Sequence, residues 1–134
     1  MSLIAVIAVV ITFFLQESVS SAAQLSNVSY SYFNDGDMGE NPLQVSIQGK
    51  KITIKAGEIT KTSGNNSKTC KNFKKVFKIT SKLSRYLCVT SDKYTGTVSA
   101  IKFKKDLKKV KNHTYGSITF YVKGKKIVGY EIYA

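Results

Sequence analysis

The chain has 134 residues, with 21 Lys or Arg against 8 Asp or Glu, a formal net charge of +13. Beyond one N-terminal apolar run the chain has length enough for one domain with a real core, and that single run and two cysteines set it apart from a multispan membrane protein and a disulfide-dense miniprotein. All the cations are lysine except Arg85. That balance favours diffuse, salt-sensitive attraction over the bidentate anion recognition that guanidinium groups provide.

Met1 to Leu15 is nearly all apolar, of signal-peptide length and short for a bilayer span. Small residues at Ser21 and Ala23 suit a peptidase site before Gln24. Residues 1–23 therefore read as a secretory signal peptide and 24–134 as a single β-rich domain, secreted and extracellular. Removing Glu17 with the leader leaves 21 cations against 7 acids, +14. Residues 24–49 carry Asp35, Asp37 and Glu40 and no cation. Residues 50–134 carry all 21 cations against Glu58, Asp92, Asp106 and Glu131, which is +17. Such a field concentrates anions and speeds their encounter.

Along the domain, a period of two dominates. Val28, Tyr30 and Tyr32 alternate with Ser29 and Ser31, the pattern of a strand. Asn34 to Pro42 is a long turn. In Leu43 to Ala56, placing Gly49-Lys50 as a two-residue II′ loop sets Ile47 opposite Ile52, Val45 opposite Ile54 and Leu43 opposite Ala56. All six apolar side chains then share one face. Lys61 to Thr69 reads as a loop, Phe73 to Ile79 as a strand with Phe77 and Ile79 on one face, and Leu83 to Val89 as an apolar stretch of ambiguous type.

Val98 to Phe103 reads as a strand. Lys102 to Lys111 changes period, because Phe103, Leu107 and Val110 recur at helical spacing. Near the C-terminus, Val122-Lys-Gly-Lys-Lys-Ile127 repeats the turn chemistry of Ile47-Gln-Gly-Lys-Lys-Ile52. The same register would set Ile118 opposite Glu131. A bulge at Gly129 removes that conflict and turns Tyr130 and Ile132 to the core. The fold expected is all-β with room for one short helix: a small antiparallel sandwich or barrel of six to nine strands built from hairpins.

Cys70 and Cys88 are expected to pair in an oxidising compartment, enclosing 19 residues and adding about 3 kcal/mol. Asn27, Asn65 and Asn112 each begin a glycosylation acceptor. Six lysines, Lys102, Lys104, Lys105, Lys108, Lys109 and Lys111, fan from the helical segment, and Lys123, Lys125 and Lys126 crowd the last turn. These nine are the candidate anion-binding residues. Should both Gly-Lys-Lys turns sit at one end of the body, they form a further cationic rim.

Asp35, Asp37 and Glu40 fit a turn better than a calcium loop, whose distal glutamate is absent. His113 has no placeable acid–base partner. Neither a metal-ligand spacing nor a nucleophile elbow nor a phosphate-cradling glycine loop occurs, so neither a cofactor nor an enzyme is expected.

The reading is a secreted, non-enzymatic, strongly cationic binding or effector protein with the profile of venom, salivary and defence proteins. Its partner is anionic: a sulfated glycan, an acidic membrane surface or an acidic protein, with nucleic acid bound only non-specifically. The alternatives are a membrane-active toxin or antimicrobial, a carrier of a small apolar ligand, and a protease inhibitor.

Overall fold

A computed structural model describes residues 26–34, 42–88, 93–112 and 114–133. The expected leader, the Asp35, Asp37 and Glu40 turn and His113 lie outside these residues. Seven strands and one helix follow in order: β1 Val28–Phe33, β2 Gln44–Gln48, β3 Lys51–Ser63, β4 Asn66–Cys88, β5 Lys93–Ser99, α1 Ala100–Lys111, β6 Ser117–Lys123 and β7 Lys126–Tyr133.

The strands form one mixed sheet in the order β2-β3-β1-β6-β7-β4-β5, and β3 pairs with β4 as well. The pairings thus close a ring, β1–β3–β4–β7–β6 and back to β1. Strand β2 extends it from β3 and β5 extends it from β4. An all-antiparallel sheet was the expectation. Instead β4 and β7 run parallel: β5 reverses the direction of β4, α1 leads into β6 with that reversed direction kept, and the last hairpin turn reverses the chain again into β7.

The first hairpin has the register its alternation demands: Ile47 opposite Ile52 and Val45 opposite Ile54. Gly49 has φ 60° and Lys50 is not among the residues of positive φ, the II′ signature. The last hairpin turns in the same way at Gly124, φ 62°. Its ladder slips between Val122, opposite Ile127, and Tyr121, opposite Gly129. Val128 is the extra residue, and Tyr130 and Ile132 are buried as the bulge requires.

Three sequence expectations change. Lys61 to Thr69 is no loop: β3 runs to Ser63, turns through Gly64 and Asn65, and β4 begins at Asn66 opposite Ser63. Thr60 to Lys68 keeps to intermediate or exposed positions, so no apolar alternation marks these strand ends. Strand β4 spans 23 residues and absorbs both Phe73–Ile79 and the ambiguous Leu83–Cys88. Val98 to Phe103 straddles a boundary, since β5 stops at Ser99, whose hydroxyl caps α1 by accepting from the Lys102 amide at 3.2 Å.

Cys70 and Cys88 are both free, which corrects the expected bridge. They sit on one strand. Eighteen residues of extended chain is a contour of about 60 Å, against the ~7 Å that a bridge tolerates between Cα atoms. Strand β4 does bend, with its pairing to β7 irregular between Ile79 and Ser84, yet the two cysteines join different seams. Cys70 faces Ile59 of β3, whereas Cys88 faces Lys93 of β5 and Tyr133 of β7.

The barrel interior is aromatic. The Phe103 ring lies 4.6 Å from Tyr130 and 6.1 Å from Phe120. Tyr30 contacts Phe73 and Phe77 at 5.1 Å and 5.6 Å. Helix α1 supplies Phe103, Leu107 and Val110, as its spacing predicts, together with one acid, Asp106.

Candidate anion-binding surface

The two Gly-Lys turns meet on β4. The Lys78 amide donates to the Lys125 carbonyl at 2.7 Å, and the next amide, Ile79, donates to the Lys50 carbonyl at 2.8 Å. Consecutive residues of one strand therefore pin both turns at one end of the barrel. Register then lines up the cations. Lys123 of β6 faces Lys126 of β7, Lys126 faces Lys78 of β4, and Lys78 faces Lys51 of β3. All four side chains are exposed. At about 4.8 Å between strands, the row runs about 14 Å. Four residue pairs further along the β3–β4 ladder, Lys55 faces Lys74.

Like charges directly opposite one another destabilise a sheet. Among the described residues no salt bridge to a carboxylate relieves this row. Of the described acids, Glu58 lies opposite Lys71, Asp106 is inside, and Glu131 accepts from the Tyr121 hydroxyl at 2.5 Å and from the Tyr133 hydroxyl. Burial, and then the bond to Glu131 with its charge, hold the Tyr121 phenol above its ordinary pKa. The bond to Glu131 does most of the same for Tyr133.

Beside the row lies a cleft of about 420 Å³ lined by Gly49, Lys50, Lys78, Ile79, Thr80, Ser81, Ala100 and Lys126. It opens where β4 turns its corner. Ladder pairing to β3 ends at Lys78 and pairing to β5 starts at Lys82. Thr80 and Ser81 thus belong to no ladder. A second, wider groove of about 530 Å³ lies at the open end of the β2–β3 hairpin. Lys55, Lys74 and Lys111 border it.

The nine lysines named from sequence divide. Lys104, Lys105, Lys108, Lys109 and Lys111 are exposed on α1, and Lys123, Lys125 and Lys126 are exposed at the last turn. Lys102 is committed elsewhere, its ammonium 3.3 Å from Asp106. Lys109 also reaches inward, 3.4 Å from the Tyr115 hydroxyl and 5.3 Å over that ring. Lys50 and Lys51 belong to the rim expected from the recurrent Gly-Lys-Lys-Ile turn, whereas the contribution of Lys78 emerges only from register. Asn27, Asn65 and Asn112 are all exposed, at the start of β1, at a hairpin tip and at the end of α1.

The lone arginine is not on this surface. Arg85 is buried, its Nε 2.8 Å from Asp106 Oδ2 and its Nη2 3.5 Å from Oδ1. The Tyr130 hydroxyl donates to Oδ2 at 2.8 Å. This constellation joins β4, α1 and β7 within the core.

Among the described residues no group of three or more His, Cys, Asp or Glu could hold a metal ion, and no helix is long and apolar enough to cross a membrane. No protein-family model, no curated protein and no solved structure matches the chain.

Proposed function

We propose that this chain is an exported, non-enzymatic binding protein whose lysine surface takes a sulfated glycan, in the manner of venom, salivary or defence effectors. One observation carries the reading: four lysines stand directly opposite one another across four strands, an arrangement unfavourable alone and favourable against a polyanion. The apolar leader supports export.

A glycan is preferred over a membrane because α1 buries its apolar side. Phe103, Leu107 and Val110 pack into the core, leaving lysines outside. Among the described residues the large apolar side chains that are exposed number four, Phe33, Val76, Ile101 and Tyr133, fewer than the continuous apolar face of an inserting surface presents. Aromatic side chains occupy the barrel interior that a carrier would keep for its ligand. A five-stranded Greek-key barrel is also the architecture of OB-type domains, whose outer face and bordering loops hold oligosaccharides and oligonucleotides. That support is analogy of fold.

The test is elution from immobilised heparin against a sulfonate exchanger of matched charge density, across a salt series. The protein is expected to leave heparin at higher salt. Failure to bind heparin even at low ionic strength refutes the reading. Leakage of anionic vesicles at micromolar protein would replace the glycan with a membrane.

A further inference from the structure

We infer that the cleft between the two Gly-Lys turns is a sulfate-ester pocket, with the lysine row beside it as the track for the rest of a sulfated polysaccharide. This rests on the reading above and assigns it a place. Lys50, Lys78 and Lys126 supply three cations from three strands or turns, and no carboxylate lines the cleft. Ser81 adds a hydroxyl at its wall. The Thr80 hydroxyl is already committed to the Lys82 carbonyl at 2.5 Å.

A tetrahedral oxyanion wants this set: several charge-assisted donors converging from different directions on a concave site. The backbones that carry these donors are held in place. The carbonyls of Lys50 and Lys125 accept from adjacent β4 amides, so the turns cannot spread apart without breaking both bonds. The turns therefore have little backbone freedom to lose on binding, while the exposed lysine side chains still give up theirs. Lys51 and Lys123 continue the row on either side of Lys78 and Lys126. A chain carrying sulfates at intervals can therefore seat one group in the cleft and place others along the row. The lysines of α1 offer charge on a convex helix face without such a concavity.

Two triple variants of equal charge loss test the assignment. One is Lys50→Ala, Lys78→Ala and Lys126→Ala; the other is Lys104→Ala, Lys105→Ala and Lys108→Ala. Each is checked first for an unchanged far-UV spectrum and melting transition. Heparin affinity is then measured by calorimetry in about 0.15 M NaCl. The cleft triple is expected to weaken binding about tenfold and the α1 triple at most about threefold. Both should lose retention equally on a sulfonate exchanger. In the unmodified protein, inorganic sulfate should shift the amide resonances of Thr80 and Ser81. Equal loss of heparin affinity in the two triples overturns the pocket and leaves the lysine-surface reading standing. Absence of heparin binding by the unmodified protein refutes that underlying reading. Tighter binding of polyphosphate than heparin, with the same dependence on the cleft lysines, overturns sulfate in favour of phosphate.

Discussion

Changing Asp106 to Ala should unfold much of what holds α1 in the barrel. Asp106 is 0 % exposed and its partner Arg85 is 6 % exposed, with Nε 2.8 Å from the carboxylate. Removing the acid leaves a guanidinium inside the protein without its counter-charge. Breaking a buried pair in this way costs about 3–5 kcal/mol. The Tyr130 hydroxyl loses its acceptor at the same time, so the upper half of that range is expected.

A domain of this size has only about 5–15 kcal/mol in total. At roughly 4 °C per kcal/mol, the melting temperature should fall by about 16–20 °C. Thermal and urea unfolding followed by far-UV circular dichroism measure this. Two further variants separate charge from volume. Lys102→Ala removes only the solvent-facing partner, at 3.3 Å, and should cost under about 1 kcal/mol. Replacing both members, Arg85→Met with Asp106→Leu, should recover most of the loss, since a well-packed apolar pair can substitute for a buried ionic one. Asp106→Ala within about 1 kcal/mol of the parent, or a double variant as unstable as the sum of its singles, would refute the pairing as the reason both charges are tolerated inside.

Deleting Val128 takes out the extra residue of β7 and leaves Tyr130 opposite Phe120, Glu131 opposite Thr119 and Ile132 opposite Ile118, so the variant should keep a cooperative melting transition; a deletion variant that fails to fold would disprove Val128 as the bulged residue. Alkylation of the denatured, unreduced protein should label Cys70 and Cys88 both, and adding reductant should leave the melting temperature unchanged; a mass about 2 Da low, with no label, would contradict the strand assignment. The phenols of Tyr121 and Tyr133 are held above their ordinary value of 10.0 in the folded state. Their contribution is therefore complete below about pH 10 and is lost as pH rises from there through the folded values. Absorbance at 295 nm should show tyrosines that ionise only as the protein unfolds in alkali, and Tyr121→Phe should remove one of them.

Much of the barrel was legible where apolar alternation meets a turn-forming glycine. Val45, Ile47, Ile52 and Ile54 fix one register, and the clash of Glu131 with Ile118 forces the bulge in another. Legibility failed where those signals are absent. The Gly64 turn has polar residues on both flanks, because β3 and β4 leave the core there. The bend at Thr80 to Lys82 broke one long strand into two apparent pieces. Strand-sharing by Cys70 and Cys88 followed from neither spacing nor compartment. The pairing of β4 with β7 is decided by residues about fifty positions apart, beyond any local pattern.

The buried ion pair did leave traces. Arg85 occupies the inward phase between Leu83 and Leu87, and Asp106 falls three positions after Phe103 and four before Val110, on the apolar stripe of α1. A solitary charge in phase with core residues is the signature of a buried partner, and here there was one of each sign. The cationic rim was legible through its repeated turn. Its direct lysine oppositions were not, because they depend on which strands become neighbours.

Strand β1 zips onto β6 with Val28 opposite Val122 and Phe33 opposite Ser117, so the earliest strand of the domain waits for nearly the last. During synthesis β1 can meet β3, but the ring stays open until the final hairpin has left the ribosome. Closing contacts at that sequence separation is slow. A newborn chain therefore spends its growth without a finished barrel, and stopping translation after Val122 would leave β4 without β7 and a permanently open sheet.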